Sequence, residues 1–258
     1  MRYDFVPLIL LLLVSVPLWF LKRWITQHLQ GLGFLIWGNS DMAMVLYFLA
    51  LLPGIVIHEL SHWLFAKGLG VRTGRLTIWP SYRRSGRIRL GSLQVAKTDP
   101  VRGSLIGLAP LLTGSLTIFL IGGWVLGVTP SIDALFAADW GSFLASLKST
   151  SQAPDFWIWL YVIFAVSNTM FPSRADRRGW LQALGLVAAV ALLFSLVGVD
   201  TYVPQKVIGL LFRLIRYLTY AFALTVAVDI VFACVIAVLE KITGHLKGER
   251  VEYGGLGS

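Results

Sequence analysis

Apolar residues gather along this chain in six runs, near 5–21, 42–66, 103–127, 156–171, 179–199 and 218–240. A helix needs roughly 20 residues to cross a hydrocarbon layer about 30 Å thick. The pattern therefore predicts an all-α membrane protein of about six transmembrane helices. The connection 22–41 mixes Trp24, Ile25, Leu29 and Trp37 with polar residues and is expected to lie along the membrane interface. In 128–155, Trp140, Phe143, Leu144 and Leu147 repeat at helical spacing, giving a short helix one apolar face to rest on the membrane surface. Segment 71–98 has a different period. Leu76, Ile78, Ile88, Leu90, Leu93 and Val95 alternate with polar or basic residues around turn signals at Pro80-Ser81 and Ser85-Gly86. This predicts a small β-element between the second and third helices, held at the interface or against protein, because strand edges open to lipid leave backbone groups unpaired.

The chain then divides into an N-terminal helix with an interfacial segment (1–41), a three-helix core carrying the β-segment (42–180), two C-terminal helices (181–250) and a flexible tail (251–258). The first apolar run is followed directly by Leu21, Lys22, Arg23 and Trp24, with no small-residue cleavage pattern, so it reads as a retained helix.

Composition agrees with a lipid environment: 57% of the 258 residues are hydrophobic and 14% charged, against about 25% charged in soluble domains. The net charge of +9 raises nucleic acid as a partner. Nine Lys and Arg, however, lie in one connection, from Lys67 to Arg102, which fits the positive-inside rule and argues against a nucleic-acid partner. Arg174, Arg177 and Arg178 cluster in the fourth connection, and Lys241, Lys247 and Arg250 follow the last helix. The expected placement is a multi-pass protein of a prokaryotic cytoplasmic membrane with both termini cytoplasmic; Lys22 and Arg23 after the first helix, with Lys206, Arg213 and Arg216 before the last, run against that orientation. Arg213 and Arg216 read as snorkelling side chains, and the cluster Arg83 to Arg89 as a contact for anionic lipid, with an acidic substrate as the alternative. Cys234 is the sole cysteine, which excludes a disulfide framework and a Cys-based metal site.

The stretch that changes the picture is His58-Glu59-Leu60-Ser61-His62, inside the second apolar run. Spacing of four puts both imidazoles on one helix face, close enough to bind one zinc. Glu59 then stands beside the metal, where a carboxylate can take a proton from an attacking water and pass it to a leaving amine. Ionisable groups at membrane depth are costly, so three together call for a cation. A catalytic zinc normally has three protein ligands. His28 and His245 lie outside the helical runs, Cys234 and Asp229 lie inside the last, and Asp176 follows Pro172, where the fourth helix ends on the same side as the second. Asp229 has two readings, a gate or relay and a hydrogen bond to a neighbouring helix. Pro53 frees the carbonyl of Leu49 and allows a kink near His58.

These residues resemble the site-2 protease family of intramembrane metalloproteases. His58-Glu59-Leu60-Ser61-His62 matches that family's zinc motif. Asn168 and Asp176 match its second motif, Asn-x-x-Pro-x-x-x-Leu-Asp-Gly, with the same separation of eight. Ala109-Pro110-Leu111-Leu112-Thr113 is similar to a third, Ala-Gly-Pro-Leu-x-Asn. The resemblance covers about 42–180 and implies one zinc ion held by His58, His62 and Asp176, Glu59 as general base, and Asn168 as a polar group near the substrate or oxyanion. It further implies a transmembrane or membrane-anchored protein substrate, paired as an extra strand on the β-segment. The departures mark a divergent member without a PDZ domain: Pro172 stands four residues after Asn168 instead of three, Ala175-Asp176-Arg177 replaces Leu-Asp-Gly, and Thr113 replaces Asn. The rival readings are a non-catalytic relative that binds membrane proteins and a metal or ion transporter whose intramembrane His and Glu line a path. No internal repeat of the kind many transporters show is present.

Overall fold

The computed structural model describes residues 6–82, 88–89, 91–128, 139–173, 175–177, 179–183, 185, 189, 205–249, 251 and 253. The first helix, α1, runs unbroken over Val6–Trp37. The interfacial segment expected over 22–41 is thus mostly its continuation, because Ile25, Leu29, Leu32 and Leu35 form a buried stripe at helical spacing. The helix ends at Gly38, whose φ of 66° suits a residue without a side chain. Asn39 caps the next helix, its Oδ1 accepting from the Asp41 N–H at 2.7 Å. That helix, α2, spans Ser40–Gly68. Pro53 leaves it continuous, and the freed Leu49 carbonyl accepts from the Tyr161 hydroxyl at 3.2 Å.

The β-segment follows as four short strands, β1 (Thr73–Thr77), β2 (Ser81–Tyr82), β3 (Ile88–Arg89) and β4 (Ser92–Val95). β1 pairs antiparallel with β4, Leu76 opposite Leu93, with an irregularity between Thr73 and Leu76; β2 pairs antiparallel with β3. The element is a hairpin in two pieces, and β1 and β4 both pack on α2. The turn expected at Ser85-Gly86 and most of the cluster Arg83 to Arg89 lie outside the described residues.

Helix α3 (Pro100–Leu120) starts at an Asp99 cap with Pro100 in its first turn and continues through a π-helical turn over Ile121–Val125. A short helix, α4 (Trp140–Ser151), leaves Trp140 and Leu144 exposed, the apolar face expected to meet a membrane surface. The last two described helices are α5 (Phe156–Thr169) and α6 (Gln205–Lys247). α6 outruns the predicted 218–240 at both ends; at its C-terminal end it follows α1, where Glu240 meets His28 at 2.6 Å and, beyond the predicted window, Lys247 Nζ donates to the Ile36 carbonyl at 2.6 Å. Most of the predicted helix 179–199 lies outside the described residues. In the expected flexible tail Tyr253 is anchored, its hydroxyl donating to Glu240 at 2.8 Å.

Helix directions follow from these contacts. α1 and α6 run parallel, Pro7 beside Thr219, His28 beside Glu240 and Ile36 beside Lys247. α2 and α5 are likewise parallel, Leu49 beside Tyr161 and His58 beside Thr169. The start of α1 and the end of α6 therefore lie at opposite ends of the helical layer. Leu18, Ile25, Leu51, Ile118, Ile163 and Val166 fill the core between the helices. Val6–Trp37, Ser40–Gly68, Pro100–Val125 and Gly209–Lys247 are long and apolar enough to cross a membrane; Phe156–Thr169 is a shorter apolar helix. The protein has the build of a helical membrane protein, with four candidate spans among the described residues where six were expected.

Candidate metal centre

The chemistry of the site begins with backbone carbonyls that lack helical partners. Pro110 sits inside α3 and has no N–H, so the carbonyl four residues before it, Ile106, is left open. It accepts from His62 Nδ1 at 2.8 Å. Thr169 is the last residue of α5, and its carbonyl is one of the unpaired groups at a helix end. It accepts from His58 Nδ1 at 2.8 Å. A carbonyl can only accept, so each imidazole carries its proton on Nδ1 and turns the lone pair of Nε2 inward. The two Nε2 atoms stand 3.2 Å apart. Two lone pairs at that distance repel unless a cation lies between them.

Asp176 supplies the third donor. The chain turns back after Pro172, and the Ser173 N–H donates to Asp176 Oδ2 at 2.7 Å, which fixes the carboxylate. Oδ1 then faces His62 Nε2 at 3.5 Å. Gly107 of α3 makes this approach possible, because a Cβ there would collide with the Asp176 carbonyl. One ligand atom from each of His58, His62 and Asp176 lies within 4.8 Å of the others. Two imidazoles and one carboxylate are a donor set that could hold a divalent ion and leave a fourth position open. The two nitrogens stand close to the roughly 3.3 Å expected of neighbouring tetrahedral ligands, while the carboxylate, within 4.8 Å, would have to close inward to join them.

Glu59 is buried beside the pair, 7% exposed. The backbone at Gly91, just before β4, closes on it: a Cβ at Gly91 would stand 2.6 Å from Glu59 Oε1 and 2.8 Å from its Cγ. Only glycine lets the β-element come this near. Asn168 is buried on the last turn of α5, with Nδ2 donating to the Phe164 carbonyl at 2.9 Å and to Asp229 Oδ1 at 3.1 Å, while its Oδ1 is buried without a hydrogen-bond partner among the described residues. It is not among the three converging ligands. Asp229 takes the hydrogen-bonded role, and His28 pairs with Glu240, away from the site. Sequence reasoning missed Ser173, Gly107 and the Ile106 carbonyl. For the last, the signal was present, since a proline inside a predicted helix always opens the carbonyl four residues earlier.

Pro110→Ala tests this orientation directly. The restored N–H competes for the Ile106 carbonyl and releases His62, so affinity for a divalent ion is expected to fall about 10–100-fold, the usual cost of losing an outer partner of a ligand. Chelator competition on the purified protein reads the change.

A scan against protein-family models, a search of curated proteins and a search of solved structures each returned no match.

Proposed function

We propose that this chain is an intramembrane zinc metalloprotease of the site-2 protease type, hydrolysing peptide bonds of membrane-spanning or membrane-proximal proteins, as in the regulated release of a membrane-held factor. The observation that carries this reading is the pair of imidazoles tied at Nδ1 to the Ile106 and Thr169 carbonyls, which aims both Nε2 lone pairs at the space that Asp176 Oδ1 also faces.

Bound zinc polarises a peptide carbonyl and lowers the pKa of water to about 7. The chain's own residues do the rest. Glu59, next to His58 on the same helix, takes the proton of the attacking water and delivers it to the departing amine. Burial of Glu59 under the Gly91 backbone keeps bulk water away from that transfer. β1 and β4 form a sheet of two strands, so an extended substrate segment has an edge to join, bringing its backbone beside α2. The setting is a prokaryotic cytoplasmic membrane. The basic connections at the α2–α3 end and the residues Arg213 and Arg216 on the entering part of α6 then share the cytoplasmic face, with Lys241 and Lys247 at the far end of α6 on the other.

The test is metal content with cleavage. Full-length protein purified in detergent is expected to carry one zinc per chain, and to cut members of a panel of single-span proteins in a reaction stopped by a chelator and restored by zinc. Protein that holds no zinc even after incubation with excess metal would sink the proposal.

A further inference from the structure

The polar groups that the metal centre does not use lie in a chain across three helices. Asp229, in the middle of α6, is 1% exposed. Its Oδ1 accepts from the Ser167 hydroxyl at 3.0 Å and from Asn168 Nδ2 at 3.1 Å, both on the last turn of α5. Its Oδ2 is buried with no hydrogen-bond partner among the described residues. Lys22 of α1 is the cation on the other flank of this stretch; it makes no direct ion pair with Asp229 among the described residues, and its geometric contact is with an aromatic ring. Its ammonium stands 4.6 Å from the centroid of the Phe171 ring.

The hydrogen bonds to Asp229 and the ring contact of Lys22 fall on one short stretch. Ser167 and Asn168 are held by Asp229, and Phe171 lies under Lys22. Between them Thr169 offers its carbonyl to His58, and just beyond them Ser173 holds Asp176. One side of residues 167–171 is thus pinned by charged groups of the two flanking helices while the other side serves the metal ligands. A leucine pair would join the helices as well; it would not fix the rotation of the α5 end, which directional hydrogen bonds do.

We propose that Lys22 and Asp229 are positioning residues for the metal centre, holding the end of α5 so that the Thr169 carbonyl keeps His58 aimed and the following turn keeps Asp176 in reach. This rests on the metalloprotease reading and gives α1 and α6, outside the motif-bearing core, a part in catalysis.

The experiment compares Lys22→Met, Asp229→Leu, which removes the acceptor for Ser167 and Asn168, and the double variant with wild type, as full-length protein loaded with cobalt(II). Thermal midpoint, visible cobalt spectrum and cleavage of a single-span reporter are read together. Each single change leaves a buried charge without its counter-charge and is expected to lower the midpoint; the double change removes both charges and is expected to recover it. The cobalt spectrum is expected to stay shifted in the double variant, with cleavage at least ten-fold down by the measure of an outer partner lost, about 10–100-fold. Recovery of midpoint, spectrum and cleavage together would show that the pair only stabilises the fold and would overturn the inference. If the double variant does not fold, Asp229→Glu keeps the charge and displaces it by one methylene: a shifted spectrum at normal midpoint supports the proposal, and an unchanged spectrum with full cleavage overturns it. Wild type that takes up no cobalt sinks the metal reading and this inference with it. Wild type that binds cobalt beside variants that match it sinks this inference alone.

Discussion

Glu59→Gln is expected to keep the bound zinc and to lower cleavage about 10²–10⁴-fold, the span that one positioned acid–base group contributes. The change removes only the ability to take a proton. Gln has the shape of Glu, so the tight contact with the Gly91 backbone survives, and the buried position continues to be filled. Neither imidazole loses its anchor, because His58 and His62 lean on the Thr169 and Ile106 carbonyls and not on Glu59. The measurement is zinc content and rate on the same preparation. Unimpaired cleavage would remove Glu59 from the mechanism. Lost zinc would make Glu59 a ligand in place of Asp176. Ion transport that survives this change while failing in His58→Ala would favour the transporter instead.

How far the sequence carries one toward this picture depends on which contacts are local. The His58-Glu59-His62 group was legible because helix geometry alone fixes a spacing of four. The return of Asp176 was legible in outline, from Pro172 ending an apolar helix on the side where α2 also ends. What sets Asp176 in place was not: Gly107 lies 69 residues earlier and matters only because a backbone carbonyl passes over it. The length of α1 was misread for a related reason. Lys22 and His28 look like loop residues to a hydropathy argument, since the cost of a charge in a membrane helix is reckoned without partners. Here Glu240, more than 200 residues away, pairs with His28 from α6. Asn168 carries a contact that no motif discloses, since Asp229 accepts from its Nδ2 across 61 residues of chain. The open carbonyl of Leu49 was foreseen; that Tyr161 would take it, keeping α2 continuous, depended on α5 lying parallel beside it.

Asp176→Ala is expected to weaken zinc binding by more than about 100-fold, beyond the 10–100-fold typical of outer partners, because a ligand itself is removed. Two neutral imidazoles would remain, with no anionic donor to offset the charge of a divalent ion in a low-dielectric setting. Stability should change little. The Asp176 side chain is 16% exposed on a turn, and its loss leaves the Ser173 N–H to solvent, at a cost of about 1 kcal/mol for one hydrogen bond. Cleavage should therefore fall together with metal content while the thermal midpoint of the zinc-free protein stays near that of zinc-free wild type. Gly107→Ala provides the matching displacement without touching a ligand: its Cβ drives the Asp176 carbonyl outward, so affinity should drop to a value between wild type and Asp176→Ala. If Asp176→Ala instead retains one zinc at wild-type affinity and still cleaves, the third donor lies elsewhere, and the arrangement of Ser173, Gly107 and Pro172 around this carboxylate has some other purpose. An intermediate Gly107→Ala beside a metal-free Asp176→Ala would tie the close passage of α3 to the geometry of the site, through the one carboxylate that both changes have in common.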